Sequence, residues 1–449
     1  MNKIGKVDIF WGYVSQVFGV GYGLILIPVI LKFLTPEEVG VWYLFSTFLM
    51  AAQLLEFGLK PTISRQLSYI YAGANRIISE GLPEFHDTKK ISYQLLFDFI
   101  DIVRMVYKII SFFVVVLIGC LGSIYLYHLN IDSTCSHIWG AWGIFVISIT
   151  LNFYFSYFDG VLIGRGLQRS VNKAITVSRI VMVMSSSILL VFGLGIISLS
   201  IGLLLSTLSY RVIVAYYFTS STDSELNSIK STSGNRMLLL KVMWLSSWKL
   251  GATNLGSFCV KRSSYFVVAS YFGLDLAGKL GVTLQIINLI SSVGSMIFNL
   301  NLPRMNFLQS DFSKNYKEIR KIFFSSLVFS HLVYILSGVF LYFWGPWLLS
   351  IVSPNADIIH GQPLVLLLIV YYLEINHTIF ATYLTSLNKV PFFKASIISG
   401  FLIVVLNYLV CKYTDMNIVG IIIVQLLVQL AYNNWKWPVE ALNQLKKVN

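Results

Sequence analysis

The chain has 449 residues, 56% of them hydrophobic and only 12% charged, with a mean hydropathy of +0.74, a composition that excludes a soluble globular or disordered protein and points to a polytopic membrane protein. The formal net charge of +13 reads as anchoring to anionic lipid headgroups and excludes nucleic acid as the expected partner, because the basic residues sort to one face of the apolar segments and form no binding patch. Four cysteines, none paired with another at ligand spacing, argue against a disulfide framework and against a zinc site.

A hydrocarbon core of about 30 Å needs roughly 20 apolar residues of helix. In chain order, twelve such spans are predicted at residues 8–33, 38–59, 108–128, 138–161, 171–193, 196–218, 242–270, 279–300, 322–345, 363–386, 395–411 and 417–434. The first follows two lysines, lacks a small-residue cleavage site and is too long for a signal-peptide core, so it is expected to be retained. Within it Pro28 is expected to bend the helix, and Gly19, Gly21 and Gly23 read as packing residues. Ahead of the third span, Gln94, Asp98, Asp101, Arg104 and Lys108 step by three or four residues and form one polar helical face, which predicts an amphipathic helix at the interface or an extension of that span.

Of the 33 Lys and Arg residues, only Lys32, Lys279 and Lys412 fall on the far face, five lie inside spans, and the remaining 25 crowd the face that carries both termini. A bias this steep puts both termini in the cytoplasm. A Ser/Thr-rich polar segment follows the sixth span, so the chain divides into an N-terminal six-helix lobe (1–219), a cytoplasmic linker (220–238) and a C-terminal six-helix lobe (239–449). The turn Leu34-Thr35-Pro36-Glu37-Glu38-Val39-Gly40 lines up with Phe272-Gly273-Leu274-Asp275-Leu276-Ala277-Gly278, and Lys60-Pro61 with Leu302-Pro303, as an internal duplication would produce. Each half has an even number of spans, so the lobes are expected to be pseudo-symmetric about an axis along the membrane normal. External loops are short, the longest running from Gly345 to about Gly361.

Several spans carry polar stripes at helical spacing: Asn152, Ser156 and Asp159; Asn172, Thr176 and Arg179; Lys249, Thr253, Ser257 and Lys261; Gln285, Asn288, Ser292, Ser295 and Asn299; Glu374, Thr378, Thr382 and Thr385. One such stripe is ordinary helix-to-helix glue, but this many imply a hydrophilic cavity, expected between the lobes. The five intramembrane cations, Arg179, Arg211, Lys249, Lys261 and Arg262, each cost about 2.5 to 3.5 kcal/mol at mid-bilayer on insertion scales, so they must find partners or water. Only Glu56, Asp159 and Glu374 are available as countercharges, leaving a positive bias that suits an anionic guest. Arg211 lies near the cytoplasmic end, where it can snorkel. Glu374 and His377, three apart on one helix, can exchange a proton, and with Asp159 and Glu56 they are the candidates for ion coupling to H+ or Na+; too few ligands accompany them for a metal site, and no cofactor motif appears.

Phe10-Trp11-Gly12, the turn from Leu34 to Gly40 with Val41-Trp42, and Leu55-Glu56-Phe57-Gly58-Leu59 followed by Ile63-Ser64-Arg65 resemble bacterial O-antigen and exopolysaccharide flippases. So do Gly345-Pro346-Trp347-Leu348-Leu349 and Asn433-Asn434-Trp435-Lys436-Trp437-Pro438. That family belongs to the MOP superfamily, with multidrug exporters of the MATE type and the lipid II flippase. The resemblance implies a twelve-helix, two-lobed all-α fold working by alternating access in the bacterial inner membrane, and a transporter rather than an enzyme. It implies as partner an undecaprenyl-pyrophosphate-linked glycan moved from the cytoplasmic to the periplasmic leaflet, alongside membrane lipids and the polysaccharide polymerase and chain-length machinery. The cationic residues expected to bind the pyrophosphate are Lys249, Lys261, Arg262, Arg179 and Arg211, with Gln285, Asn288, Ser292, Thr253 and Ser257 as polar lining. The competing readings are a MATE-type drug or small-cation exporter, and an integral membrane polysaccharide polymerase, which the short external loops disfavour.

Overall fold

A computed structural model of the chain describes residues 6–74, 76–78, 91–129, 137–220, 236–309, 312–352, 357–387 and 390–446. Among these residues the architecture is all-helical. The helices are α1 (Lys6–Phe33), α2 (Pro36–Leu54), α3 (Leu59–Tyr71), α4 (Tyr93–Phe113), α5 (Gly122–His128), α6 (Ile138–Tyr154), α7 (Tyr157–Gly164) and α8 (Gln168–Val191). They continue with α9 (Ile197–Ser220), α10 (Arg236–Leu308), α11 (Phe312–Val352), α12 (Gln362–Ser386), α13 (Phe393–Tyr413), α14 (Asn417–Ala431) and α15 (Asn433–Lys446). Nine helical stretches among the described residues are long and apolar enough to cross a membrane, and a tenth forms if α2 and α3, bent by 44°, count together. One of the nine, Ser247–Leu302, has 56 residues and so is about 84 Å long if straight, well over twice what a hydrocarbon core of about 30 Å needs. It breaks at Gly273 (φ 86°, ψ 171°), where only a residue without Cβ adopts that backbone freely, and thus supplies two spans. The 28-residue α1 runs through Pro28 without interruption.

Several boundaries depart from the sequence reading. The amphipathic stretch from Gln94 to Lys108 is α4 itself, continuous with the third span through a π-helical segment, Val114–Leu121, into α5. The second span does not end at residue 59: a short break over Leu55–Gly58 leads into α3, with Phe57 (φ 46°) and Gly58 (φ 73°) both left-handed. Phe57 holds that strained conformation because its ring stacks on Trp244 at 5.3 Å and 15°. The expected loop after Gly345 is also shorter, since α11 continues through Pro346 to Val352; residues 353–356 lie outside the described set. Most of the proposed linker, 221–235, likewise lies outside it.

The chain forms two compact units, Met1–Phe33 with Phe45–Gly251, and Leu34–Leu44 with Ala252–Asn449. In the first unit α8 packs between α1 and α9, α6 packs on α9, and α3 on α7. The α3–α7 contact is close because Gly160 and Gly164, one small-xxx-small step apart, face Ile63 and Leu67: an added Cβ would come within 2.7 and 2.4 Å of those side chains. Phe45, Phe48, Trp142 and Phe145 form an aromatic cluster with centroids 4.9 to 5.4 Å apart. In the second unit α12 packs on α11, α14 and α15, and α13 on α14.

The two repeated turns of the sequence meet inside this second unit. A Cβ on Gly40 would lie 2.1 Å from the Leu274 carbonyl oxygen, and one on Gly278 would lie 2.9 Å from that of Pro36. The glycine that ends each repeat is therefore what lets the two backbones touch. Tyr265 Oη donates to the Gly40 carbonyl at 3.0 Å and adds a hydrogen bond across the crossing.

Candidate functional site

The first unit gathers its intramembrane charges into one closed cluster. Asp159, at the start of α7, is 2% exposed; its Oδ1 accepts from Arg211 Nη1 at 3.2 Å and Tyr210 Oη at 2.9 Å, and its Oδ2 from Lys60 Nζ at 3.2 Å. Arg211 of α9, 7% exposed, also donates to Asn152 Oδ1 at 2.7 Å through Nη2 and to the Phe155 carbonyl at 3.1 Å through Nη1. The Phe155 carbonyl lies where the fourth span breaks between α6 and α7, at Phe155 and Ser156. Glu56, in the α2–α3 break, accepts from Ser156 Oγ at 3.3 Å. Two carboxylates thus stand with two cations, and every polar edge of Arg211 is directed at a protein acceptor. Four of the five N–H groups of this guanidinium are taken up by protein acceptors, the arrangement of a structural ion pair. Arg179, on α8, is half-buried and lies over the Tyr22 ring of α1 at 4.4 Å, a cation–π contact. Lys249 is exposed and belongs to the first unit, two residues before the boundary at Gly251.

The second unit holds a different arrangement. Two adjoining cavities, of about 220 and about 170 Å³, lie wholly within it. The stripe read along α12 lines the larger: Glu374, Thr378, Thr382 and Thr385 face it together with His377. From α10 come Thr253, Ser257 and Lys261, three of the four residues in the seventh-span stripe. The smaller cavity takes Asn288, Ser292 and Ser295 from the eighth-span stripe, together with Ser291 and Tyr371. Asn288 Nδ2 and Ser292 Oγ donate to carbonyls one turn back on α10, at 2.6 and 2.7 Å, leaving their oxygens as acceptors toward the cavity. Gln285, expected in the lining, instead accepts a short hydrogen bond from Tyr43 Oη.

Lys261 Nζ sits 2.7 Å from Glu374 Oε1, and the two residues border both cavities. The side chains are 33% and 12% exposed, so the pair is partly wetted by the cavities it divides. His377 Nδ1 lies 3.8 Å from the same carboxylate oxygen, and among the described residues neither ring nitrogen has a hydrogen-bond partner. Arg262, next in sequence and half-buried, has no carboxylate within ion-pair distance among the described residues. The charge balance of this cluster is therefore one carboxylate against two cations, with an imidazole close by. No group of three or more potential metal ligands occurs among the described residues.

The lining also contains residues the sequence reading passed over. Gln429 and Asn433, of α14 and α15, form the cavity floor with Ser396 of α13. Asn433 Nδ2 donates to Ser399 Oγ at 2.7 Å and Gln429 Oε1 at 3.0 Å, and Trp437 Nε1 donates to Asn433 Oδ1 at 3.0 Å. Their signal was the step of four through Gln425, Gln429 and Asn433, three buried amides in a run otherwise apolar.

No protein-family model matches the chain, and no curated protein matches it in sequence. Solved structures do match its fold over nearly its whole length. An inward-facing conformation of a multidrug resistance MATE family transporter of the MOP superfamily aligns with a TM-score of 0.64 at 12% identity, covering 97% of this chain and 96% of that one. The lipid II flippase MurJ, in an inward closed conformation, aligns at 0.56 and 13% identity, over 98% and 92%. A MOP superfamily transporter from Pyrococcus furiosus, described as having a binding pocket of reversed polarity, aligns at 0.50 and 12%, over 98% and 95%. The chain shares the fold of these solved structures, a multi-pass membrane architecture.

Proposed function

We propose that the protein is a flippase that moves an undecaprenyl-pyrophosphate-linked oligosaccharide, an O-antigen or related repeat unit, from the cytoplasmic to the periplasmic leaflet of the bacterial inner membrane by alternating access, with both termini cytoplasmic. The observation that carries this reading is the cationic excess beside polar cavities in the second unit, where Lys261 and Arg262 stand against Glu374 alone. A diphosphate with its sugars cannot cross hydrocarbon unsolvated, whereas a polyprenyl tail stays in lipid; the transporter must supply cations and hydrogen-bonding groups to the headgroup only. Lys261, Arg262, Asn288, Ser292, Thr253 and Ser257 meet that need, with Lys249 and Arg179 as further cationic contacts. Glu374 and His377 supply the ion-coupling step.

A second reading, a MATE-type exporter of drugs or small cations, is favoured by one observation, the buried Glu374 carboxylate facing a threonine-lined cavity. The two readings diverge in cells that lack the protein. Under the flippase reading, lipid-linked single repeat units accumulate on the cytoplasmic leaflet; the wild-type chain restores export, and Lys261→Ala and Arg262→Ala, inserted at normal levels, do not. Normal glycan export in the deletion strain, accompanied by new drug sensitivity, would establish the exporter instead.

A further inference from the structure

The two cavities of the second unit share a wall made by one ion pair, and their chemistry differs on its two sides. The smaller presents Asn288, Ser291, Ser292 and Ser295 from successive turns of α10; their donors rest on carbonyls three or four residues back, and the hydroxyls and the second amide hydrogen can turn to donate to an oxyanion. The larger presents neutral threonines and amides around the imidazole of His377, a lining that holds water without binding charge. Lys261 and Glu374 face both, and Thr378 joins them in both linings. The ammonium has one carboxylate partner at 2.7 Å and a third of its side chain exposed to the cavities, so a second anion can reach it without unfolding anything.

From this geometry we infer that Lys261 is an exchange ion. Its ammonium passes from Glu374 to a phosphate or diphosphate oxyanion admitted to the smaller cavity, and the carboxylate left behind takes a proton that reaches it from the larger cavity through His377. A diphosphate outcompetes a carboxylate for one ammonium because it carries more charge and more acceptor oxygens. A buried carboxylate deprived of its cation neutralises itself by protonation rather than remain charged. The proton passes through His377, whose ring nitrogens lie buried and unpartnered at the edge of the larger cavity, to a Glu374 oxygen, and returns by the same route when the oxyanion leaves, so one proton is taken up per anion bound and given back per anion released. The other charged or titratable groups that act on the pair are Arg262, Tyr371 and His377. The residues that α13, α14 and α15 contribute to the larger cavity, Ser396, Gln429 and Asn433, are neutral. The inference rests on the reading above that the guest carries a diphosphate, and it adds how binding and proton movement are tied.

The test uses the full-length protein in lipid nanodiscs with two probes, inorganic pyrophosphate and a short polyprenyl diphosphate, measuring affinity by calorimetry and proton uptake with a pH dye in weak buffer. The wild type is expected to take up about one proton per diphosphate. Glu374→Gln, its competitor removed, binds about tenfold more tightly with no uptake, a change on the scale of ordinary coupling between sites. Lys261→Gln loses binding, as does Lys261→Gln combined with Glu374→Gln, a pair of changes that removes both members of the ion pair, strands neither, and so controls for misfolding. His377→Gln keeps the affinity and slows the uptake. Diphosphate binding by the wild type without proton uptake, or an unchanged affinity in Glu374→Gln, would overturn the exchange while leaving the flippase reading intact. Binding of pyrophosphate with Glu374-dependent uptake but no binding of the polyprenyl form would support the exchange and overturn the lipid-linked guest. Failure of the wild type to bind either probe would overturn both.

Discussion

Replacing Asp159 with Asn tests whether the charge cluster of the first unit is structural. The amide keeps the size of the carboxylate and can still accept from Tyr210, so the loss is one of charge, and it falls on Arg211, which is 7% exposed and has no other carboxylate within ion-pair distance among the described residues. Removing one partner of a buried pair costs about 3 to 5 kcal/mol, which on the scale of a 200-residue unit lowers the melting temperature by roughly 6 to 20 °C. Lys60, 41% exposed, reaches water when its partner is lost, so Lys60→Met should cost no more than about 1 kcal/mol. Adding Arg211→Leu to Asp159→Asn removes the stranded cation and leaves mainly Asn152 without its donors, a residual cost of about 1 to 3 kcal/mol. The assay is thermal melting of detergent-solubilised protein followed by fluorescence-detected gel filtration, with each variant also scored for export. A loss in Lys60→Met as large as in Asp159→Asn, or a double variant less stable than Asp159→Asn alone, would refute the assignment of Arg211 as the locked partner.

Gly40→Val places side-chain carbon on the Leu274 carbonyl, where even a Cβ would lie at 2.1 Å, and is expected to destabilise by at least about 1 to 3 kcal/mol in the same melting assay; Gly278→Val should act in the same direction. Thr378→Val with Ser257→Ala makes the larger cavity less polar without touching a charge, so export should fall while melting stays within about 1 kcal/mol of wild type, measured by complementation alongside gel filtration. Arg179→Leu loses a cation–π contact of about 0.5 to 2 kcal/mol, and if Arg179 also contacts the guest, export falls further than the matched variant Tyr22→Leu allows.

The stripes of the sequence proved informative because helical periodicity survives any tertiary arrangement: Thr253, Ser257 and Lys261 on α10, and Glu374, Thr378 and Thr382 on α12, were legible as two polar faces and do face one cavity. The proximity of Glu374 and His377 was equally local, three residues apart on one helix. What could not be read was which face meets which. The Asp159 contacts with Lys60 and Arg211 join residues 99 and 52 apart, and nothing in the one-dimensional pattern distinguishes Arg211, held by four hydrogen bonds, from Lys261, whose ammonium borders open space. Nor could spacing tell that the second span resumes as α3, because the break depends on Phe57 finding Trp244, a contact from the far end of the unit's chain. The matched turns were seen as a duplication; that their glycines touch each other required the fold.

The Asp159 cluster has a history written in its chain order. During synthesis Lys60 leaves the ribosome 99 residues before Asp159, and Arg211 follows 52 residues after it. At about 5 to 20 residues per second, the aspartate waits roughly 3 to 10 s in or beside the insertion machinery before its guanidinium arrives. Lys60, 41% exposed and already delivered, is the cation on hand for that interval. A residue worth little to the finished protein can thus be the one that lets a charged helix enter the lipid at all.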